Sequence, residues 1–171
     1  MTDNLLISKL KNDTQTCLLK KFRSSNSFLN QFLVRKAKAH QNEMIATTYL
    51  VSYEGKVVAF FSLLCDSLIM SKSLIEKCKT GKRYKTYPSI KIGRLAVDVE
   101  FEHMGIGGYI LDYIKYKYAN NQNVGARYLL VDALNEKVGF YLKNQFVIAD
   151  VDDNTEDTQL MYYDLLGARE D

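Results

Sequence analysis

Three glycines, Gly105, Gly107 and Gly108, lie within the stretch EFEHMGIGGYIL at residues 100–111. They stand at the start of an apolar pattern with helical spacing over residues 106–118. The first amides of a helix have no acceptor within the helix, and the helix dipole favours an anion beside them. Glycines also let a ligand approach the backbone closely. The segment therefore fits a phosphate-binding turn, although glycines before a helix are also common in a simple tight turn.

Two familiar phosphate-binding motifs do not fit this segment. The third glycine of a dinucleotide fingerprint would fall at Ile110, and no Gly-Lys-Ser/Thr follows as in a P-loop. Glu102 places a carboxylate beside the predicted anion site, where it would repel a phosphate by about 1 kcal/mol per close contact in water. The phosphate-binding interpretation of this turn therefore depends on features elsewhere in the sequence.

Size and composition predict one cytoplasmic domain that spans residues 1–171. The hydrophobic fraction of 47% and the charged fraction of 25% are ordinary for a globular protein. No apolar run approaches the ~20 residues of a membrane span, and the N-terminus does not resemble a secretory signal. Three cysteines without metal-like spacing indicate reduced thiols, and with only two histidines we expect no metal site.

Charge is distributed unevenly along the chain. Residues 1–94 hold 17 Lys/Arg against 6 Asp/Glu, whereas residues 95–171 hold 6 against 14. The densest basic part is residues 72–94, which includes Lys82, Arg83, Lys85 and Arg94. This part predicts either a surface that attracts a phosphate-rich partner or a solvated face.

The elements that must position these residues follow from periodicity. Helices are predicted at residues 14–23, 28–40, 71–80, 106–118 and 135–144, and strands at residues 47–53, 57–64, 90–99, 127–133, 146–151 and 159–165. Pro88 is expected to end the connection before the third strand, and Gly93 is an interior irregularity that suggests a bulge. Phe28 is placed with Phe32 on the apolar face of the second helix. The order predicts an α/β (α+β) chain with a mixed sheet.

Two stretches of the sequence resemble a known protein family. The sequences IGRLAVDVEFEHMGIGGYIL and YLLVDALNEKVGFYLKNQF resemble the acetyl-CoA core of the GNAT superfamily of N-acetyltransferases over about residues 90–147. That core has a strand, Gln/Arg-x-x-Gly-x-Gly/Ala, a helix, a second strand, an Asn and Phe-Tyr-x-x-x-Gly-Phe. The resemblance implies a GNAT-like acyl-CoA N-acyltransferase fold with flanking helices. Its central mixed sheet would have strands 90–99 and 127–133 splayed apart.

The resemblance also implies roles for individual residues. Acetyl-CoA would be the co-substrate, with no metal, and the amine would attack the thioester directly. Tyr141 would protonate the departing thiolate. The pantetheine arm, the thioester and the pyrophosphate would contact Leu95, Ala96, Val97, His103, Met104, Gly105, Ile106, Gly107, Gly108 and Asn135. Glu102 stands at the family's usual Gln/Arg position, so its side chain is expected either to face solvent or to weaken CoA binding.

Looser similarity in FRSSNSFLNQFL and YPSIKIGRLAVD resembles the branch containing bacterial toxins that acetylate aminoacyl-tRNA. This similarity implies aminoacyl-tRNA as acceptor and a small ribbon-helix-helix antitoxin as partner. Arg94, Lys82, Arg83 and Lys85 would contact the acceptor. A small-molecule or protein amine, or a non-catalytic RNA- or partner-binding module, remains an alternative, and a homodimer remains open.

Four other reactive side chains are not expected to act as bases or nucleophiles. His103 falls in the predicted phosphate loop and is expected to touch phosphate and not to act as a base. Cys65 lies in an apolar strand and is expected to be a small core residue. Asp98 and Asp132 are expected to join turn or polar networks. The sequence therefore offers no convincing general base, which favours an acceptor amine that is already partly neutral, such as an α-amino group with pKa about 8.

Overall fold

The computed structural model describes residues 4–71, 75, 84–120, 124–150 and 155–169. Within them the strands are β1 Leu6–Lys9, β2 Thr47–Tyr53, β3 Lys56–Ile69, β4 Thr86–Val97, β5 Tyr128–Leu134, β6 Val147–Ile148 and β7 Thr158–Asp164. The α-helices are α1 Thr16–Leu19, α2 Ser27–Arg35, α3 Ala37–Asn42, α4 Ile106–Asn120 and α5 Val138–Lys143. None of the described helices has the length and hydropathy needed to cross a membrane.

The described strands form a mixed sheet in the order β1-β2-β3-β4-β5-β7-β6. β1, β2 and β3 pair in antiparallel fashion, as do β5 with β7 and β7 with β6. β4 and β5 are parallel through the pairs Ser89↔Tyr128, Ile90↔Leu129 and Lys91↔Leu130. The predicted fold class, a mixed sheet with flanking helices, is confirmed.

The chain divides into two compact units. The first contains Met1–Leu64 and Ile92–Leu111, and the second contains Cys65–Lys91 and Asp112–Asp171. A single domain over residues 1–171 stays a prediction.

The core of the first unit joins the three short helices to the sheet. One cluster of buried side chains contains Leu10, Leu19, Phe22, Phe32, Leu33, Ala37, Leu50, Phe60 and Ala96. The rings of Phe22 and Phe32 lie 5.4 and 6.2 Å from that of Phe60. α1, α2 and α3 are thereby anchored on the sheet next to Ala96 of β4.

Tyrosine rings dominate the core of the second unit. Tyr87, Tyr128 and Tyr162 follow one another edge to face, with 5.6 Å between successive ring centroids. Edge-to-face packing is a favourable arrangement for aromatic rings. These rings link β4, β5 and β7, and β5 then continues to Asn135.

Local sequence explains where several elements begin and turn. The side-chain oxygen of Asn26 accepts hydrogen bonds from the amides of Phe28 and Leu29, so Asn26 caps α2. Glu54 and Gly55 have φ of 47° and 78°, the left-handed backbone of a tight hairpin turn between β2 and β3. The predicted strand at residues 47–53 matches β2.

Several sequence predictions differ from the structure. β1 was not predicted, because four residues are too few for a clear alternation. The predicted helix 28–40 is two helices with Lys36 between them. Pro88 lies inside β4, and its carbonyl oxygen accepts a hydrogen bond from the amide of Arg127. The predicted helix 71–80 lies outside the described residues, apart from Ser71 and Ile75.

Gly93 has a packing role and not the suggested role of a bulge. A Cβ built on Gly93 would lie 2.7 Å from the Cδ2 atom of Leu64, closer than real contacts allow. The absence of a side chain therefore permits the close approach of Leu64.

Candidate functional site

The C-terminal half of β4 carries Leu95, Ala96 and Val97, the residues predicted to hold the thioester and the pantetheine arm. Ala96 is buried in the core beneath the short helices, and its two neighbours are half-buried. The β4–β5 ladder has its last pair at Lys91, four residues before Leu95. The backbone groups of residues 95–97 are therefore not used in that ladder.

Asp98 fixes the direction in which the chain leaves β4. Its buried carboxylate accepts hydrogen bonds from the amide of Arg23 at 2.7 Å and from the amide of Glu100 at 3.1 Å. The amide of Asp98 in turn donates to the carbonyl of Val58. Asp98 is thus a turn-forming network residue, as predicted, and it ties the start of the segment that leads to α4 to Arg23 and Val58.

The segment before α4, the predicted anion cradle, contains two residues with left-handed backbone. His103 and Gly105 have φ of 63° and 80°, both in the left-handed region, and α4 begins at Ile106. Alternating right- and left-handed backbone turns successive amides toward one concavity. Gly107 is buried and the side chains of His103 and Met104 are exposed. A Cβ on Gly105 would meet no atom within 4 Å, so Gly105 is required for its backbone angle and not for space.

Glu102 precedes this cradle in an extended conformation, with φ of −60° and ψ of 154°, after a short 3-10 helix at Val99–Phe101. Its side chain is half-buried. Glu102 therefore lies four residues before the first residue of α4, at the entrance to the segment whose amides an anion would need.

Tyr141 lies on α5 with only 7% of its surface exposed. The rings of Phe140 and Phe146 flank it at 5.1 and 5.5 Å. Burial raises the pKa of Tyr141 to about 12. The phenol therefore stays protonated at every physiological pH and is a permanent hydrogen-bond donor.

A buried lysine supports the helix that carries Tyr141. The ammonium group of Lys115 donates to the carbonyl of Asn144, the residue that ends α5, at 2.9 Å. It also lies 3.3 Å from the carboxylate of Asp112 and 4.7 Å from the centre of the Tyr163 ring. Sequence reasoning missed Lys115, although a lysine one residue after Ile114 on an apolar helix was a signal.

Asn135 starts a 3-10 helix directly after β5. Its side-chain amide donates to the carbonyl of Glu156 at 2.8 Å, and its backbone amide donates to the carbonyl of Asp157. These bonds tie the turn after β5 to the segment before β7. Asn135 is exposed, so ligand contact is compatible with its position.

Lys91 links two carboxylates on neighbouring strands. Its ammonium lies 2.7 Å from Asp132 on β5 and 3.3 Å from Asp66 on β3. Burial alone lowers the pKa of Lys91, but the hydrogen bonds and charges of Asp132 and Asp66 outweigh it and leave the pKa raised. Asp132 therefore belongs to an ion-pair network, as predicted. Its carboxylate is engaged by Lys91 and is not a free general base.

The guanidinium of Arg94 lies over an aromatic ring of α2. Its guanidinium carbon lies 3.7 Å from the centre of the Phe32 ring, and burial lowers the pKa of Arg94. Stacking of this kind fixes the orientation of the planar donors. Of the other predicted acceptor contacts, Lys85 is exposed, while Lys82 and Arg83 lie outside the described residues.

The last two questions are the position of Cys65 and the presence of a metal site. Cys65 is exposed, so the prediction of a core residue was wrong. Because β3 is longer than predicted and continues to Ile69, Cys65 lies in the part of that strand where exposed and buried residues alternate. In the part of the chain that the structure describes, no three His, Cys, Asp or Glu side chains are grouped to hold a metal ion.

No protein-family model matches the sequence. The chain is 26% identical over 137 residues to a tRNA-acetylating toxin of Mycobacterium tuberculosis, with 77% of this chain and 79% of the relative covered. A structure of AtaT complexed with acetyl-methionyl-tRNAfMet aligns with a TM-score of 0.76 and 24% identity over 96% of both chains. A mutant AtaT toxin bound to the C-terminus of the antitoxin AtaR and acetyl-CoA aligns with a TM-score of 0.73 and 22% identity over 96% of both chains.

These similarities extend over nearly the whole chain, well beyond the core at residues 90–147 on which the resemblance first rested. They confirm the predicted resemblance to the toxin branch and the predicted acetyltransferase-type fold. The chain has the GNAT fold of the tRNA-acetylating toxins.

Proposed function

We propose that this protein is an acetyl-CoA-dependent N-acetyltransferase of the cytoplasm whose acceptor is the amino group of an aminoacyl-tRNA. The observation that carries the proposal is the backbone just before α4, where His103 and Gly105 adopt left-handed angles in the segment that links β4 to that helix. In a protein with the GNAT fold, this cradle is best suited to the pyrophosphate of CoA.

Roles for the chain's own residues follow from this proposal. The amides of residues 103–108 receive the pyrophosphate, and the backbone of residues 95–97 and Asn135 hold the pantetheine arm. The neutral amine attacks the thioester carbonyl carbon, forming the C–N bond as the C–S bond breaks. The amine loses its extra proton to solvent, and the departing sulfur receives a hydrogen bond from Tyr141.

The raised pKa of Tyr141 refines its role as an acid. Proton transfer from a phenol of pKa about 12 to a thiolate of ordinary pKa, about 8.5, would be uphill by about 5 kcal/mol. Tyr141 therefore acts first by donating a hydrogen bond to the developing thiolate. Full transfer requires the sulfur to be desolvated as well, since desolvation raises its pKa toward that of the phenol.

The identity of the acceptor rests on two supports. The relative from Mycobacterium tuberculosis is a tRNA-acetylating toxin, and a similar AtaT structure holds acetyl-methionyl-tRNAfMet. In this chain the carboxylates of Asp98 and Asp132 are engaged in hydrogen bonds and an ion pair, so neither is a free base. An α-amino group of pKa about 8 needs less help than a lysine of pKa about 10.4. The antitoxin partner of the relative suggests that a protein inhibitor of similar kind binds this chain.

Binding of acetyl-CoA, measured by titration calorimetry, tests the enzyme proposal. We expect saturable binding in the micromolar range, and absence of binding at millimolar ligand would contradict the proposal in favour of a non-catalytic module. Transfer of acetyl to polyamines or a protein amine, but not to charged tRNA, would support the alternative acceptor class.

A further inference from the structure

The three short helices of the first unit form a cationic layer. Residues 14–42 contain six Lys or Arg, at positions 20, 21, 23, 35, 36 and 38, and no Asp or Glu. Apart from Lys38, these side chains are exposed. None of the ion pairs among the described residues includes a member of this segment. The layer therefore presents a surplus of positive charge to solvent.

An aromatic side chain projects from the same layer. Phe28 is 81% exposed, so its predicted place on the apolar face was wrong. Its neighbours explain the position: Asn26 caps the helix through the amides of Phe28 and Leu29, and Asn30 exchanges hydrogen bonds with Ser24 at 2.8 to 3.0 Å. This network fixes the first turn of α2 and holds Phe28 outward.

Phe28 lies one helical turn before Phe32, the residue whose ring carries the Arg94 guanidinium. Residues four apart on a helix are neighbours, with about 5–6 Å between their Cβ atoms. The exposed ring of Phe28 is therefore one helical turn away from the residue on whose ring the Arg94 guanidinium lies. Arg94 directly precedes Leu95 in β4, and the layer is packed on Ala96 through the shared core.

We propose that Phe28 and Arg94, within this cationic layer, bind the unpaired 3′ end of an RNA. A nucleobase stacks on Phe28, and the adjacent phosphate is held by Arg94. This inference rests on the proposed function for its link to the thioester strand: an aminoacyl group at that 3′ end would lie beside residues 95–97.

The chemistry of the surface favours an RNA end over other partners. A base inside a duplex has both faces covered, whereas an unpaired base offers a face to an aromatic ring. Phosphates match the exposed Lys and Arg side chains. A protein partner fits less well, because lysine is depleted at the centres of protein interfaces.

The test uses uncharged RNA without acetyl-CoA, so that it is separate from catalysis. The probes are a labelled RNA hairpin with a short single-stranded 3′ overhang and the same hairpin with a blunt end, titrated by fluorescence anisotropy. We expect Phe28→Ala to weaken binding of the overhang probe by about tenfold and of the blunt probe by less than twofold. Phe28→Trp should retain binding, since it keeps a stacking face.

Two controls define the specificity of the effect. Met44→Ala removes another apolar side chain that is 92% exposed in the first unit and should leave both affinities unchanged. The double substitution Arg35→Ala with Lys36→Ala should weaken both probes and reduce the salt dependence of binding, because it removes charge and not stacking.

Equal binding of the overhang probe by Phe28→Ala and the unsubstituted protein would overturn the inference. A change in oligomeric state of Phe28→Ala with unchanged RNA binding would also overturn it and assign Phe28 to a protein interface. If overhang binding depends on Phe28 but no acetyl transfer occurs, the proposed function fails and the RNA site stands.

Discussion

The ammonium nitrogen of Lys115 lies 2.9 Å from the carbonyl oxygen of Asn144, at the end of the helix that carries Tyr141. Lys115 is 6% exposed, and Asn144 also donates its side-chain amide to the carbonyl of Phe140. α5 has only six residues and cannot be stable by itself. Its position, and therefore that of Tyr141, depends on this contact from α4.

Replacement of Lys115 by alanine should destabilise the protein and misplace Tyr141. A hydrogen bond from a charged donor contributes about 1.5–3 kcal/mol, so we expect the free energy of unfolding to fall by about 2 kcal/mol in chemical denaturation. The turnover number for acetyl transfer should fall more than the affinity for acetyl-CoA. Lys143→Ala, an exposed lysine on α5, is the control and should change stability by less than about 0.5 kcal/mol. Unchanged stability of Lys115→Ala would refute the anchoring role.

Alkaline unfolding should reveal the buried phenol of Tyr141. Its pKa is about 12 in the folded protein, against 10.0 for an ordinary tyrosine. Between these values the unfolded state has lost the proton and the folded state has not, so the free energy of unfolding falls as pH rises. The loss is about 2–3 kcal/mol in total, and Tyr141 contributes none of it below pH 10.

A comparison with Tyr141→Phe isolates this effect, because all other titrating groups are shared. The stability of the variant relative to the unsubstituted protein should rise by about 2 kcal/mol between pH 10 and pH 12. Parallel stability curves over this range would show that Tyr141 is not desolvated. The same variant should transfer acetyl far more slowly at neutral pH while acetyl-CoA affinity changes little, because the hydroxyl acts on the leaving sulfur.

Two glycine substitutions separate backbone angle from space. Neither Gly105 nor Gly139 has an atom within 4 Å of a built Cβ, but only Gly105 has a left-handed φ, of 80°. Gly105→Ala should cost about 1 kcal/mol of stability and raise the dissociation constant for acetyl-CoA. Gly139→Ala, in the exposed part of α5, should stabilise the protein by about 0.5–1 kcal/mol. If both variants bind acetyl-CoA like the parent, the cradle does not hold the pyrophosphate.

Removal of the charge at Glu102 should strengthen acetyl-CoA binding. The carboxylate precedes the amides proposed to hold the pyrophosphate, and a repulsion of about 1 kcal/mol corresponds to about fivefold in affinity. We expect Glu102→Gln to lower the dissociation constant by about that factor, with the difference shrinking at high salt. Glu43→Gln, exposed at the end of α3, controls for net charge. Equal affinities would mean that the Glu102 side chain faces away from the ligand.

Sequence patterns were sufficient for the elements that carry strong periodicity. β2 agrees with its predicted bounds, and α4 begins at the predicted Ile106. A turn at Gly105 was predictable because glycine is the residue that adopts φ of about 80° without strain. His103 was different: its φ of 63° is imposed by the loop, and no local pattern in the sequence signalled it.

Features that depend on distant residues could not be predicted. The role of Gly93 depends on Leu64, and the orientation of Arg94 depends on Phe32. Periodicity alone placed Phe28 on the apolar face of α2. In the structure its side chain is exposed, because the first turn of the helix lies outside the core that packs on the sheet. Tyr141 was proposed as the acid from the resemblance to the GNAT pattern. Its burial, which sets its pKa, depends on the packing of Phe140 and Phe146 and could not be read from that pattern.

The most direct test of the proposed activity follows labelled acetyl groups from acetyl-CoA to tRNA. The protein is incubated with radiolabelled acetyl-CoA and either charged or uncharged tRNA, and Tyr141→Phe serves as the inactive control. The proposal predicts label in the charged tRNA alone, released as an N-acetyl amino acid when the ester is hydrolysed by base. Label that never enters charged tRNA under conditions where acetyl-CoA binds would contradict the proposal.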